Sequence, residues 1–308
     1  MRSFVAYIMR GRVHAMAISV LGAVLSLVVP IVSYLSAAVI ALVTLRRGAM
    51  DGLFIVIGSA LAFLLFALFT PVNPWVTVVF VFVAWVPVWA LANVLRATVS
   101  LPKTINAAAV LGVLAVVVVY FRLDNVDVWW QDRLEALAQA AGEGGAASQD
   151  VLLQVFSAVV PYMTGALVAG VMLGLVTSLF LGRWWQALLY NPGGFRTEFR
   201  ALRLERSFAL AFIAAIALAV VAGGKFGGMA ANIAVVLLSL YVLHGYALVH
   251  SVIALKGAHV GWLVAFYVLT LVILPQLLLL VAVVGFVDSW VDIRARLSKR
   301  GSPEDTHS

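Results

Sequence analysis

Long runs without a charged residue dominate the chain. No Asp, Glu, Lys or Arg occurs between Arg12 and Arg46, and further uncharged blocks occupy residues 52–95, 104–121, 151–182, 207–224, 226–255 and 257–287. Only helices and closed barrels satisfy their backbone polar groups in lipid. Because roughly 20 apolar residues cross a bilayer as a helix, the pattern predicts an all-α, polytopic transmembrane helix bundle with about eight to ten membrane segments.

Prolines divide these blocks into segments. We split the first block at Pro30, because a proline inside a helix removes a backbone hydrogen bond. Pro71 and Pro74 end the next segment, and Pro161 and Pro275 are expected to interrupt two later ones. The predicted segments are residues 15–45 in two parts, 52–70, 75–95, 105–121, 152–181, 207–222, 229–255 and 261–287.

Two long polar connections separate the segments. Residues 122–150 are rich in Asp and Glu, and apolar positions recur there at helical spacing behind Trp129 and Trp130. We therefore expect a short helix on the membrane face, followed by a small-residue linker at 142–148. Residues 182–206 form a basic connection.

The remaining polar features are a glycine-rich turn and the C-terminal tail. Residues 223–228 read as a tight turn, and 288–308 as a charged tail that follows a single transmembrane bundle, 1–287. Asp288 and Asp292 share a helix face in that tail, so we expect them to form a solvated, salt-bridged helix end.

The Lys and Arg residues predict the orientation in the membrane. With the amino terminus in the cytoplasm, most basic residues of short loops fall inside, and only Arg122, Arg133 and Lys225 fall outside. An odd number of crossings would place the basic tail outside. We expect a cytoplasmic tail, which leaves the number of crossings open, and we place the protein in a bacterial inner membrane.

Composition excludes several classes of function. The chain is 64% hydrophobic and 11% charged, with a mean hydropathy of +1.11, which excludes a water-soluble globule. It has no cysteine, so disulfides and thiolate metal sites are excluded. The net charge of +7 is scattered through short loops, so we expect no nucleic-acid partner. No paired intramembrane carboxylates or nucleophile motif occur, so we expect no catalytic residue, metal or cofactor, and no enzyme activity.

The basic connection holds the first set of candidate site residues. A turn at 191–194 precedes a helix start, where glycines let backbone amides approach an anion. Three arginines follow at i, i+4 and i+7 on one predicted helix face, which could instead anchor the helix on anionic lipid, at about 1 kcal/mol for each residue. The candidates for ligand or anion binding are Asn191, Gly193, Gly194, Arg196, Arg200 and Arg203.

The second set lies inside an apolar block. His244 and His250 are six positions apart, about 120° from a common helix face, which makes them poor joint metal ligands. His250 shares a face with Tyr246. The three residues are candidates for a ligand pocket or a proton relay, because polar groups in lipid tend to face protein or water, and hydrogen bonding between helices is the plainer alternative.

Several motifs in order resemble a known family. RWWQALLYNPGGF at 183–195 with EFRALRL at 198–204, SYLSAAVIALVTLRRGAMDG at 33–52 and GFVDSWVDIRARL at 285–297 together resemble the YybS-like family of bacterial inner-membrane proteins, whose function is uncharacterised. The resemblance implies a distant kinship to the substrate-binding membrane subunits of energy-coupling-factor vitamin transporters. A shared fold does not by itself establish a function.

These observations favour a non-enzymatic, transport-type protein that binds a small molecule or lipid between its helices. The predicted breaks at Pro30, Pro161 and Pro275 motivate this hypothesis, because interrupted membrane helices often line cavities. The alternative is a membrane scaffold that recruits partners or anionic lipid through the basic connection 182–206. The lipid bilayer is the expected partner in both cases, and a homo-oligomer or a protein partner is left open.

Overall fold

Every element among the described residues is a helix. The computed structural model describes residues 1–143 and 149–301, so most of the predicted linker at 142–148 and the end of the predicted tail lie outside the described residues. The chain divides into two compact units. The first unit comprises Met1–Ala108 and Leu173–Leu202, and the second comprises Ala109–Met172 and Arg203–Ser308.

Most helices belong wholly to one unit. The first unit contains α1 (Arg2–Ile8), α2 (Arg12–Ser26), α3 (Val32–Arg47), α4 (Ala49–Leu68), α5 (Trp75–Phe80), a π-helix (Val81–Trp85), α6 (Val86–Thr98) and α11 (Gly194–Ala201). The second unit contains α8 (Val126–Glu143), α9 (Gln149–Val159), a 3₁₀ turn (Val160–Tyr162), α12 (Arg206–Ala222), α13 (Gly224–Leu255), α14 (Gly261–Val272), α15 (Leu274–Val291) and α16 (Ile293–Gly301). Two unit boundaries fall within α7 (Leu101–Arg122) and α10 (Met163–Tyr190), and the third lies between α11 and α12.

The described helices confirm an all-α membrane protein. Five stretches are long and apolar enough to cross a bilayer, or up to seven if each of two bent helix pairs counts as one span. The five are Ala49–Leu68, Trp75–Thr98, Leu101–Arg122, Val151–Tyr190 and Gly224–Leu255. The five omit the predicted segments 15–45, 207–222 and 261–287, whose helices are short. Parts of the first two of these segments enter the count of seven within the bent pairs.

The expected breaks are present. α2 ends at Ser26 and α3 begins at Val32, with Pro30 between them. Pro161 lies in the 3₁₀ turn before α10. α14 and α15 are separated at Ile273, whose φ of −122° and ψ of 48° are not helical. The three interruptions follow the rule that proline ends or bends a helix on its N-terminal side.

Three boundaries differ from the prediction. α10 continues to Tyr190, so the first part of the basic connection 182–206 is helical. The turn predicted at 223–228 is shorter, because only Gly223 and Gly224 have positive φ and α13 already begins at Gly224. A π-helix, Val81–Trp85, interrupts the segment that begins at Trp75, just before Pro87, which has no N–H to complete an ordinary turn.

The core of the first unit is built around α3. Its residues 36–45 are all buried, as expected of a helix that is apolar on every side. α2 packs closely against it, since the hydroxyls of Ser19 and Ser36 each donate to the other residue's carbonyl oxygen, at 3.2 and 2.7 Å. The Trp85 indole donates to the Ser36 hydroxyl at 3.0 Å, which ties the π-helix to the same point.

The second unit is built around α13, which packs against α12 and α15. Small residues allow the closest contacts. A Cβ placed on Gly245 would lie 2.1 Å from the carbonyl oxygen of Val281, and one on Gly285 would lie 2.7 Å from that of Tyr241. The small-residue contact brings the backbones of α13 and α15 together, as in many membrane helix pairs.

Asn232 of α13 forms hydrogen bonds with the backbone groups that the helix break at Pro161 leaves unpaired. Its side-chain oxygen accepts the backbone N–H of Gly165, and its side-chain nitrogen donates to the carbonyl oxygen of Pro161 at 2.7 Å. These two groups lie four residues apart, so they would bond each other in a regular helix. The buried amide therefore takes the place of one backbone hydrogen bond of the helix. Its nitrogen also lies 2.8 Å from the Tyr120 hydroxyl.

Candidate functional site

A cavity of about 270 Å³ opens at the ends of several helices in the first unit. Its walls come from the C-terminal ends of α3, α6 and α10, with one residue of α11. The lining combines charged, amide and apolar groups. The lining residues are Leu45, Leu95, Arg96, Val99, Arg183, Gln186, Tyr190, Asn191 and Glu198.

Arg183 organises one wall of this cavity. Its Nε atom donates to Glu198 Oε2 at 2.9 Å, and Nη2 contacts the other carboxylate oxygen, so α10 and α11 are joined by a bidentate ion pair. Nη1 donates to Gln186 Oε1 at 3.0 Å. Gln186 in turn donates to the carbonyl oxygen of Leu45 at 3.3 Å, near the end of α3. The wall is therefore held by a connected set of polar contacts.

Arg96 provides the cavity's uncompensated charge. Among the described residues it makes no hydrogen bond or ion pair, whereas the charge of Arg183 is balanced by Glu198. The Arg96 guanidinium packs against Gly48, where an added Cβ would lie 2.8 Å from Nη1. Gly48 also has a φ of 115°, so both space and backbone conformation favour glycine here.

Val99 at the edge of the cavity has a strained backbone. Its φ of 49° and ψ of 34° are left-handed, which is unusual for a β-branched residue and costs about 1–3 kcal/mol. Such strain is concentrated at functional sites, where the surrounding structure maintains it.

Leu45, Leu95 and Val99 make the cavity partly apolar. A ligand that combines an anionic group with an apolar part matches this lining.

The structure places only Asn191 of the predicted turn in the cavity. Gly193 has a φ of 89° and begins α11, and the position of a Cβ on Gly194 is occupied by the Asn191 side chain. Neither glycine lines the cavity. Arg196 is exposed and Arg200 is half-buried, both on α11 outside the cavity lining.

The predicted shared face of three arginines is wrong for Arg203. α11 ends at Ala201, and residues 202–205 are not helical, so Arg203 does not continue the face of Arg196 and Arg200. Its guanidinium instead lies in the second unit, where it contacts Asp292 and donates to the carbonyl oxygen of Asp288 at 3.1 Å. Short distance along the chain did not keep the three residues on one helix.

The second unit contains a buried charge cluster that involves His244. Its Nε2 lies 2.9 Å from Oδ2 of Asp288, and both side chains are fully buried. The other oxygen of Asp288 accepts the backbone N–H of Ile293 at 2.7 Å. Arg294 Nε is 3.9 Å from Oδ2. Burial lowers the pKa of the Arg294 guanidinium, an effect that the charge of Asp288 opposes.

This cluster corrects the expectation for the tail. Asp288 was expected in a solvated helix end, but α15 continues to Val291 and buries it completely. Asp292 ends α15 in a left-handed conformation with a φ of 51° and pairs with Arg203. The charged tail thus begins inside the protein.

Tyr246 and His250 meet on a different surface of α13. Both contact Tyr267 of α14: the Tyr246 ring stacks at a centroid distance of 5.6 Å, and His250 Nε2 lies 2.8 Å from the Tyr267 hydroxyl. Tyr246 also donates to the Thr270 hydroxyl at 3.2 Å. The expected common face of Tyr246 and His250 is confirmed, and His244 is separate from it. Hydrogen bonding between helices accounts for these contacts.

Sequence reasoning missed most of the cavity. Arg183, Gln186 and Tyr190 were assigned to a loop, although their spacing of three and four residues fits one face of a continued helix. Arg96 carried no local signal that distinguishes it from other loop arginines. Asp288 was named without its partner, because no sequence pattern links it to a histidine 44 positions earlier. Among the described residues there is no cluster of His, Asp and Glu that could hold a metal ion.

The fold and cavity define a multi-span helical membrane protein. The chain belongs to the family described as Predicted membrane protein (DUF2232), whose match covers residues 13–289. The family is one of membrane proteins without an established function, which agrees with the resemblance to the YybS-like proteins. No curated protein and no solved structure matches the chain.

Proposed function

We propose that this is a non-enzymatic, transport-type protein of a bacterial inner membrane, which binds an anionic amphipathic small molecule or a lipid headgroup in the cavity of the first unit. The observation that carries the proposal is the unpaired Arg96 in a cavity that also has amide and apolar walls. Arg96 is exposed in the last turn of α6, so an anion can reach its guanidinium.

Size and charge support this ligand class. A volume of about 270 Å³ is small compared with pockets for drug-sized molecules, which enclose roughly 300–1,000 Å³. It suits a headgroup or a small acid. The side chains of the lining carry one net positive charge, since Arg183 and Glu198 balance each other and Arg96 remains.

A purely structural role for Arg96 is the main competing explanation. The C-terminal ends of α3, α6 and α10 carry partial negative charge, and nearby arginines offset it by roughly 0.3–1 kcal/mol each. Arg46 lies over the Tyr190 ring at 4.0 Å and contributes to the same effect. Under this explanation, loss of Arg96 changes stability without changing ligand binding.

The test compares ligand-induced stabilisation of two arginine variants. Purified protein in detergent is titrated with a short-chain phosphatidylglycerol, a short-chain phosphatidylcholine and inorganic phosphate while its thermal unfolding midpoint is followed. We expect the anionic lipid to stabilise the wild type and Arg96→Ala to bind it roughly 10- to 150-fold more weakly, because a charge-assisted hydrogen bond contributes about 1.5–3 kcal/mol. Stabilisation by phosphate alone would identify a free anion as the ligand.

Arg10→Ala is the matched control. It removes the same charge from the first unit, and Arg10 lies over Tyr7 outside the cavity. We expect its lipid affinity to equal that of the wild type. The proposal is wrong if neither anion stabilises the wild type, or if Arg96→Ala and Arg10→Ala respond alike.

Recruitment through the basic connection receives less support. Arg203, one of the three arginines on which it depended, contacts Asp292 and the backbone at Asp288. Only Arg196 of the three is exposed.

A further inference from the structure

We infer that Nδ1 of His244 is a proton-binding site inside the second unit, with Asp288 as its counter-charge. Both side chains are fully buried, and Nε2 is 2.9 Å from the carboxylate. Nδ1 is buried and has no hydrogen-bond partner among the described residues. A buried polar atom without a partner is uncommon in folded proteins and calls for a physical explanation.

The contacts determine which nitrogen is free to accept a proton. An ionised carboxylate only accepts hydrogen bonds, so Nε2 of His244 must carry the hydrogen that lies between it and Oδ2 of Asp288. The other carboxylate oxygen is occupied by the N–H of Ile293. In the neutral imidazole, Nδ1 then holds a lone pair. A purely structural pair would leave that lone pair bonded to a neighbouring donor, as buried polar atoms usually are.

Protonation of Nδ1 requires no reactant other than a proton from water. A proton from water adds to Nδ1, no bond breaks, and the imidazole becomes an imidazolium. The net charge of the His244–Asp288 pair changes from minus one to zero. Burying a charge is costly unless it is paired, and the adjacent carboxylate supplies the pairing.

Charged and titratable groups on each neighbouring element affect this uptake. Tyr241 of α13 stacks near the imidazole, with a centroid distance of 6.1 Å. Arg294 of α16 and Arg203 of the segment before α12 are cations that oppose a further positive charge, and Asp292 partly neutralises Arg203. The α12 side chains that pack on Tyr241 are Phe208 and Phe212, which do not titrate.

An open cavity brings solvent close to the pair. The cavity has a volume of about 590 Å³ and is lined by residues that include Arg203, Leu204, Ser289 and Asp292. Ser289 directly follows Asp288 and donates to the carbonyl oxygen of Leu204 at 3.3 Å. The cavity therefore reaches the residue that follows Asp288.

Proton binding is coupled to the attachment of α16. Asp288 holds the first residue of α16 through the N–H of Ile293 and attracts Arg294. An imidazolium competes with Arg294 for the same carboxylate. Linkage makes this effect reciprocal. If proton binding weakens the Arg294 contact, then loss of the Arg294 contact strengthens proton binding.

The experiment is a ¹⁵N NMR titration of a protein with a single histidine. The chain has five histidines, so His14, His250, His259 and His307 are replaced by Gln, and the full-length protein is labelled at the remaining imidazole in detergent. We expect the Nδ1 signal to change from the unprotonated to the protonated form as the pH is lowered across the range in which the protein stays folded. An Nδ1 signal that keeps one form throughout that range would overturn the inference.

Two further variants are expected to shift the pH of the Nδ1 transition in opposite directions. Arg294→Gln removes a repelling cation and should move the transition to higher pH, whereas Asp288→Asn removes the counter-charge and should move it to lower pH by at least one unit. If Asp288→Asn does not fold, Arg294→Gln and the parent protein still decide the question. An Arg294→Gln transition at the parent's pH, or below it, contradicts the assigned site. The result is independent of lipid binding at Arg96.

Discussion

At the residue scale, Asn232 shows how a membrane protein tolerates proline. Pro161 interrupts the chain before α10, and the groups that an ordinary helix would pair are instead bonded to one asparagine amide from α13. In hydrocarbon no water can replace those bonds. The amide therefore closes the break and fixes the position of α13 against it.

Replacing Asn232 by leucine should destabilise the protein. The substitution leaves the N–H of Gly165 and the carbonyl oxygen of Pro161 buried without their partner, and each such group costs roughly 1–3 kcal/mol. We expect Asn232→Leu to lower the free energy of unfolding by about 2–6 kcal/mol, measured by thermal unfolding in detergent. Asn93→Leu is the control, because within the described part of the chain Asn93 bonds only Trp89 of its own helix and is half-buried. Equal losses in both variants would contradict the bridging role.

At the element scale, the contact between α13 and α15 depends on glycine. Gly245 faces the carbonyl oxygen of Val281, and its missing side chain lets the two backbones meet. Gly170 of α10 is also helical but has no atom of a neighbour within 4 Å of an added Cβ. Both glycines lie in helices, but a neighbouring helix fills the space beside Gly245, whereas the space beside Gly170 is open.

These surroundings predict opposite effects of alanine. Gly245→Ala should destabilise the protein by about 1–3 kcal/mol, because the methyl group can be accommodated only if the helices separate. Gly170→Ala should leave stability unchanged or raise it by roughly 0.5–1 kcal/mol, because alanine is the better helix former. Thermal unfolding of both variants beside the wild type tests this. A Gly245→Ala midpoint at or above that of Gly170→Ala would rule out the close contact.

Helices and breaks were predictable to different degrees. Uncharged blocks and prolines located α2, α3, α4, α12 and α13, because both signals act locally along the chain. The π-helix before Pro87 was not predicted, since the same proline could have ended the helix. The continuation of α10 to Tyr190 was missed because Arg183 was treated as a loop residue, although it is stabilised by Glu198.

At the scale of the whole molecule, the candidate sites depended on partners far apart in sequence. Gln186 reaches the end of α3, 141 residues away, and His244 reaches Asp288. Periodicity describes one helix at a time and contains no information about such pairs. For this reason Asn191 and His244 could be named from the sequence, whereas Arg96 and the burial of Asp288 required the fold.

The orientation of the whole chain remains a prediction from its basic loops. The native chain has no cysteine, so single cysteines report sidedness without background. We expect Gln131→Cys to react with a membrane-impermeant maleimide on intact spheroplasts, and Thr197→Cys to react only after lysis, because positive loops stay in the cytoplasm. Both positions are exposed, and the cysteine-free parent is the control. Labelling of Thr197→Cys on intact spheroplasts would reverse the predicted topology.

The asparagine that closes the break at Pro161 also constrains how the chain is made. Gly165 leaves the ribosome before its partner, which lies 67 residues later. At about 5–20 residues per second, translation of that interval takes several seconds. During this time the segment needs temporary partners for its free amide and carbonyl, supplied by water or by the insertion machinery. We expect release of the segment into lipid to be delayed until α13 has been synthesised.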